Sequence, residues 1–167
     1  MAFIKVNTTN GEIEIEIPQD GSNYLDISGK ELIALPDLKG NFEDPELFEW
    51  NFENTINSYC LSDNQLVNMS DEAVETRLCC FRELKCLLLR NNLIVNLPDS
   101  FGRLEHLITL YLDYNKLQVF PEAIRQLTKL RQLHLSDNQI EVIPEWIGVL
   151  TKLEYLYISR NRISSIP

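Results

Sequence analysis

The stretch that decides the fold is residues 107–129, LITLYLDYNKLQVFPEAIRQLTK, because the same pattern returns at 130–152 as LRQLHLSDNQIEVIPEWIGVLTK. An earlier copy begins at Leu84 and a shortened one at Leu153, so each copy starts 23 residues after the last. A fixed period of this length, headed by LxxLxLxxN, indicates stacked repeats that each form one structural unit. The recurring residues of the third copy are Leu130, Leu133, Leu135, Asn138, Ile140, Ile143, Pro144, Ile147 and Leu150.

The alternation in each LxL segment predicts a short strand whose leucines point inward. Such a strand cannot bury its face alone, and the next copy completes the core. The asparagine that follows is predicted to bind backbone groups of neighbouring turns, forming a structural ladder through Asn92, Asn115, Asn138 and Asn161. The proline ends this half of the copy, and the apolar residues after it predict a short helical or 3₁₀ return.

These features resemble the leucine-rich repeat family, and the LPxxIxxLxx spacer resembles its typical 23-residue class. That class includes intracellular Ras-suppressor-like and scaffolding proteins, and bacterial proteins with similar arrays. The resemblance implies an α/β right-handed solenoid, with a curved parallel sheet on the concave face and short helical returns on the convex face. It also implies that the concave sheet binds another protein.

The rest of the chain is expected to hold a cap and irregular repeats. Residues 1–21 contain two alternating runs around Asn10-Gly11, a pattern that favours a β-hairpin cap. Residues 22–83 are predicted to form irregular repeats with helical insertions at 44–55 and 70–83, and Lys30 occupies an asparagine position. Residues 84–167 are the regular repeats, with the last one truncated. That truncation indicates either a piece of a longer protein or an exposed last strand.

Charge and cysteine content narrow the function classes. The net charge is −10, and residues 1–83 carry 17 acidic and five basic side chains. This balance disfavours nucleic-acid binding and favours either a basic or mixed-charge protein partner or a merely solvated acidic end. The apolar runs are too short to span a membrane, and the N-terminus lacks a signal-peptide core. The cysteines lack paired CxxC motifs, so reduced thiols in a cytoplasmic location are expected, although Cys60 and Cys86 could approach each other.

The outward strand positions are the candidate binding site. In the regular repeats they carry tyrosine, arginine and aspartate, and the first two dominate interface energetics. Cross-strand stacking is the alternative explanation for the aromatic residues. The predicted partner-binding residues are Leu88, Arg90, Tyr111, Asp113, Tyr114, His134, Asp137, Tyr155, Tyr157 and Arg160.

Catalysis has little support in the sequence. His134 with Asp113 and Ser136 is the only group that could be assembled around a base, and an open sheet lacks the walls that exclude water. No phosphate-binding loop, metal-ligand spacing, cofactor motif or small-molecule site is evident. We therefore expect a non-enzymatic protein-interaction module without a cofactor. The alternative is the recognition part of a larger multidomain protein, or of a bacterial effector acting in a host cell, whose activity lies outside this chain.

Overall fold

A computed structural model describes residues 2–8, 10–17, 23–36 and 56–167 of the chain. Its N-terminal element is an antiparallel hairpin of β1 (Ala2–Thr8) and β2 (Gly11–Ile17). Gly11 has a φ of 121°, which glycine adopts without steric cost at the end of the tight turn. Ile15 of β2 is buried in the main hydrophobic core, as a capping hairpin requires.

The centre of the molecule is a parallel sheet built from one short strand per repeat. Its strands pair in chain order and each is three residues long, with the middle residue pointing into the core. Because all pairs share one register, equivalent positions of successive repeats lie side by side. The strands are β3 (Tyr24–Asp26), β4 (Ser58–Cys60), β5 (Cys86–Leu88), β6 (Thr109–Tyr111), β7 (Gln132–His134) and β8 (Tyr155–Tyr157).

The chain returns between the strands of the regular repeats through 3₁₀ helices at Asp99–Arg103, Glu122–Gln126 and Glu145–Val149. Each follows directly on the repeat's proline, whose fixed φ suits the first position before a helical turn. The solenoid with a parallel sheet and 3₁₀ returns therefore confirms the predicted fold class.

An α-helix, α1 (Asp71–Arg77), occupies the corresponding place in the irregular region. The Ser70 side chain accepts a hydrogen bond from the Ala73 backbone N–H and so caps the helix. The sequence predicted helical structure across 70–83, but α1 ends at Arg77 because the chain must turn to bury Leu78 and Phe81 before it enters β5. The predicted insertion at 44–55 lies outside the described residues, and the proposed division into three regions remains a prediction.

The asparagine ladder is confirmed by its hydrogen bonds. Asn115 donates to the carbonyls of Leu89 (2.9 Å) and Leu112 (3.1 Å), and its Oδ1 accepts from the Ile94 N–H (3.0 Å). Asn64 makes the equivalent bonds in the irregular region, including one to the Ile27 carbonyl at 2.9 Å. These amides satisfy backbone groups that the core would otherwise leave buried and unpaired. None of the helices among the described residues has the length and apolar character to cross a bilayer.

Candidate functional site

The outward strand residues form two rows across the sheet, on the face that points away from the core. Strand register places Leu88, Tyr111, His134 and Tyr157 side by side in one row. The second row ends in Tyr155, next to Gln132. We call this face of the solenoid, together with the loop residues that follow its strands, the concave face.

Three rings of the first row form a continuous stack. The His134 imidazole lies between two phenol rings, 4.1 Å from the Tyr111 centroid and 4.3 Å from the Tyr157 centroid, with interplanar angles of 30° and 20°. Tyr155 lies 6.3 Å from Tyr157 and nearly parallel to it. A stack of this kind restricts the side-chain freedom of its rings.

A buried carboxylate lies beneath the stack. Asp113 is 5% exposed and accepts a hydrogen bond of 3.0 Å from the Ser136 backbone N–H. Its Oδ2 lies 3.5 Å from the Arg90 Nε and 3.9 Å from the His134 Nδ1. Burial lowers the pKa of His134, and the positive charge of Arg90 lowers it further. The negative charge of Asp113 raises it, but the pKa remains lowered overall. The ring is therefore neutral near pH 7.

A second set of side chains comes from the position just before each ladder asparagine. This residue has a left-handed backbone in every repeat, with φ between 51° and 57° in repeats that carry Asp63, Asn91, Tyr114, Asp137 and Arg160 there. Aspartate and asparagine tolerate this conformation, whereas tyrosine and arginine adopt it at a cost. The strain at Tyr114 and Arg160 indicates that something other than backbone preference retains these side chains.

These strained residues interact with each other along one edge of the concave face. Arg160 binds Asp137 through Nε (2.5 Å) and Nη2 (2.7 Å), and its Nη2 lies 3.4 Å from the Tyr114 hydroxyl. The Arg90 guanidinium lies 5.9 Å from the centroid of the Tyr114 ring, within cation–π range. The hydrogen bond from Arg160 lowers the pKa of Asp137.

The predicted site residues are thus brought together on one surface. Arg90, Tyr111, Asp113, Tyr114, His134 and Tyr157 form one connected group, which Arg160 and Asp137 extend. Leu88 is half-buried in the same row as the stacked rings, and Tyr155 reaches the group only through Tyr157.

The geometry around His134 does not assemble a catalytic group. The Ser136 hydroxyl accepts a hydrogen bond from Ser159 (3.1 Å), and Ser136 meets Asp113 through its backbone N–H. The His134 Nε2, which a nucleophile would need to reach, is buried without a hydrogen-bond partner. The arrangement positions aromatic side chains instead of activating a hydroxyl.

The four cysteines are free thiols. Strand pairing sets Cys60 beside Leu88 and Cys86 beside Ser58, so the two cysteines lie on a diagonal of the sheet. Burial raises the pKa of Cys86 and keeps its thiol protonated. Within the ranges that the structure describes, no cluster of three histidine, cysteine or acidic residues could hold a metal ion.

Sequence reasoning missed two features of this face. The left-handed position could have been recognised, because Gly29, Asp63, Asn91 and Asp137 are residue types that favour positive φ. The second feature is a cavity of about 600 Å³ next to the aromatic stack, lined by residues of four different repeats. The repeat spacing places these residues on neighbouring outward positions, but it does not show that a cavity lies between their side chains.

Comparison with known proteins agrees with this architecture. A family model described as a leucine-rich repeat region matches residues 60–166, so the chain belongs to the leucine-rich repeat family. The chain is also similar to the solved structure of a leucine-rich repeat protein of Leptospira interrogans, with 26% sequence identity and a TM-score of 0.66 over 89% of this chain. That similarity spans only 40% of the Leptospira chain. No curated protein matches the sequence.

Leucine-rich repeat domains are general protein-interaction modules, and the family is typically non-enzymatic. Its members generally bind protein partners.

Proposed function

We propose that this chain binds a protein partner through its concave face, with the aromatic stack of Tyr111, His134 and Tyr157 at the centre of the interface. The observation that carries the proposal is a group of aromatic side chains on the face of the sheet that the core does not use, three of which are exposed. Tyr114, Tyr155 and Tyr157 are 46%, 51% and 46% exposed. Large aromatic side chains that remain this accessible are typical of interface anchors.

The chemistry around the stack supports a protein ligand. Arg90 and Arg160 flank the tyrosines, and each already has its guanidinium oriented by an aspartate, Asp113 and Asp137 respectively. Preorganised arginine and tyrosine side chains lose little conformational freedom when they bind. At the aromatic stack the face is open, which suits another protein surface better than a small molecule, because a small molecule needs an enclosing pocket.

The location of this activity is also part of the proposal. Free thiols at all four cysteines are compatible with a reducing, cytoplasmic compartment. A second candidate is that the chain is the recognition part of a larger protein, such as a bacterial effector. The observation that favours it is the similarity to a Leptospira protein of which the chain spans 40%.

The direct test is an affinity capture from cytosolic extract with the wild-type chain and with the Tyr111→Ala/Tyr157→Ala variant, followed by mass spectrometry. Both tyrosines are on the outward side of their strands, so the fold should survive their truncation. Circular dichroism and a urea titration check that it does. We expect a partner that the wild type captures and the variant loses, with at least a tenfold reduction in recovery.

The matched control is Val119→Ala/Val142→Ala, which truncates two exposed apolar side chains outside the sheet. This control should capture the partner as the wild type does. Equal capture by the tyrosine variant would place the interface elsewhere. If the control loses the partner and the tyrosine variant does not, the returns between strands form the interface.

A further inference from the structure

The cavity beside the aromatic stack differs in chemistry from the stack itself. Its lining includes Asp26 at the end of β3, Ser62 and Asp63 after β4, and Tyr114. The volume of about 600 Å³ is open to solvent on the concave face and accommodates a long side chain. We call the surface formed by Asp26, Ser62 and Asp63 the acidic socket.

Both carboxylates of the socket accept hydrogen bonds from neutral groups. Asp26 accepts from the Ser28 backbone N–H at 2.9 Å and lies 3.4 Å from the Tyr24 hydroxyl. Asp63 accepts from the Asn91 side-chain amide at 2.8 Å. Burial raises the pKa of Asp26, but hydrogen bonds from Ser28, Cys60 and Tyr24 outweigh it and lower the pKa overall. Among the described residues, neither carboxylate forms an ion pair with a basic side chain.

The basic residue that lines the cavity is already engaged. Arg90 has its Nε 3.5 Å from Asp113 and its guanidinium over the Tyr114 ring. Its charge is therefore partly compensated at the wall next to the aromatic stack, and the two carboxylates leave the cavity with an excess of negative charge.

A buried hydroxyl provides an independent sign of an unfilled site. Ser62 is 7% exposed and lines the cavity in the same repeat as Asp63. Its Oγ is buried without a hydrogen-bond partner, unlike Ser136 and Ser159, which bond to each other at 3.1 Å in the regular repeats. An unpaired buried hydroxyl costs free energy, and a donor entering the cavity would relieve that cost.

We propose that the acidic socket receives an arginine or lysine side chain of the protein partner, next to the aromatic stack that anchors the same partner. The inference rests on the proposed function for the identity of the ligand as a protein. Two carboxylates and a hydroxyl match the several N–H donors of a cationic side chain, and charge-assisted hydrogen bonds are the strong class. Complementary charge in this socket also selects among partners that share the same aromatic contacts.

The socket can be tested without knowing the partner. We would titrate the ¹⁵N-labelled chain with N-acetyl-arginine amide and with N-acetyl-lysine amide, and follow the backbone amides of Ser62, Asp63 and Asn91 by NMR. The matched probe is N-acetyl-citrulline amide, which has nearly the shape of the arginine probe and no charge. We expect weak but saturable binding of a cationic probe, on the order of millimolar, and about tenfold weaker binding of the citrulline probe.

The variant Asp26→Asn/Asp63→Asn removes both charges and keeps an oxygen acceptor for Ser28 and for Asn91. Asparagine also tolerates the positive φ of residue 63. This variant should lose the cationic-probe response, whereas Asp137→Asn, which changes the same position of a later repeat, should retain it. Equal responses to arginine and citrulline, shifts confined to other residues, or no response to either cationic probe would overturn the socket.

A capture experiment separates the socket from the proposed function. The socket variant should bind the captured partner about tenfold more weakly, with the loss reduced at high salt. A partner that is lost only in the Tyr111/Tyr157 variant supports the concave interface and contradicts the socket. A partner weakened by the socket variant but not by the Tyr111/Tyr157 variant supports the socket and contradicts the aromatic stack as the centre of the interface, and a partner indifferent to both variants contradicts both proposals.

Discussion

The regular repeats and the irregular region share one interior and carry different outer surfaces. Asn64 in the irregular region makes the bonds that Asn115 makes in the regular one and accepts one more from the Lys30 N–H, although the repeat starts on either side of Asn64 are 28 and not 23 residues apart. The extra length is taken up by α1, outside the sheet. On the concave face, by contrast, the regular repeats present stacked aromatic rings and the irregular ones present carboxylates.

This contrast separates what folding requires from what recognition requires. Inward positions are restricted to leucine-like side chains and the ladder amide because each repeat must satisfy the backbone of its neighbour. Outward positions have no such obligation, so their composition can differ between two ends of one sheet. We therefore expect interior substitutions to change stability by similar amounts in the two regions. Substitutions on the concave face should have different effects in the two regions.

The largest expected effect is in the ladder. Asn115→Ala removes the acceptor for the Ile94 N–H and the donors to the Leu89 and Leu112 carbonyls, all of them buried. We expect the free energy of unfolding to fall by about 3 kcal/mol or more, because several backbone groups lose partners at once. Urea denaturation followed by circular dichroism measures this change.

Two further variants test whether the interior is common to both regions. Asn64→Ala should lower the free energy of unfolding by an amount within about 1 kcal/mol of the Asn115→Ala effect, because Asn64 makes equivalent hydrogen bonds. Lys30→Ala should have an effect within about 0.5 kcal/mol, since Lys30 meets Asn64 through its backbone N–H. A small cost at Asn64 would show that the irregular repeats are held by something other than the ladder.

A smaller effect is expected at the strained position before the ladder. Tyr114→Asn places a residue that tolerates a φ of 55° where tyrosine is strained, and we expect a gain of up to about 1 kcal/mol in stability with weaker partner capture. The reverse change at the same position of the preceding repeat, Asn91→Tyr, should lower stability by a similar amount. Thermal unfolding of both variants measures the two changes in stability. A loss of stability in Tyr114→Asn would mean that the contacts of Tyr114 with Arg90 and Arg160 outweigh the backbone strain.

The sequence predicted the interior better than the surface, and the reason is physical. The regular spacing of leucine, asparagine and proline predicts the strands, the asparagine ladder and the helical returns. Each of these residue types has the same structural role in every repeat. The aromatic stack could be predicted for the same reason, since Tyr111, His134 and Tyr157 occupy the same position in successive repeats. The left-handed backbone at Tyr114 was missed because tyrosine disfavours that conformation, although the glycine, aspartate and asparagine at the same position of other repeats indicate it. The acidic socket was missed because the aligned positions of Asp26 and Asp63 do not show that a cavity lies between them.

The smallest expected effect concerns the neutral imidazole at the centre of the stack. Burial lowers the pKa of His134 in the folded chain, against an unfolded value near 6.5. The unfolded chain therefore binds more protons as the pH falls below about 6.5, and His134 then destabilises the fold progressively until the pH passes the folded-state pKa. His134→Phe keeps an aromatic ring between the tyrosines and cannot titrate. The urea midpoint of the wild type should thus drop more than that of His134→Phe between pH 7.5 and pH 5.5.

Comparing the wild type with His134→Phe assigns the difference in pH dependence to the titration of His134. His106 is present in both, and the aspartates with lowered pKa, among them Asp71 and Asp137, titrate below this window and are common to both. If acidification instead stabilises the wild type relative to His134→Phe, the attraction of Asp113 for the imidazolium outweighs burial and the repulsion from Arg90. The aromatic stack would then carry a positive charge at low pH, and it would repel the same cationic side chains that the acidic socket attracts.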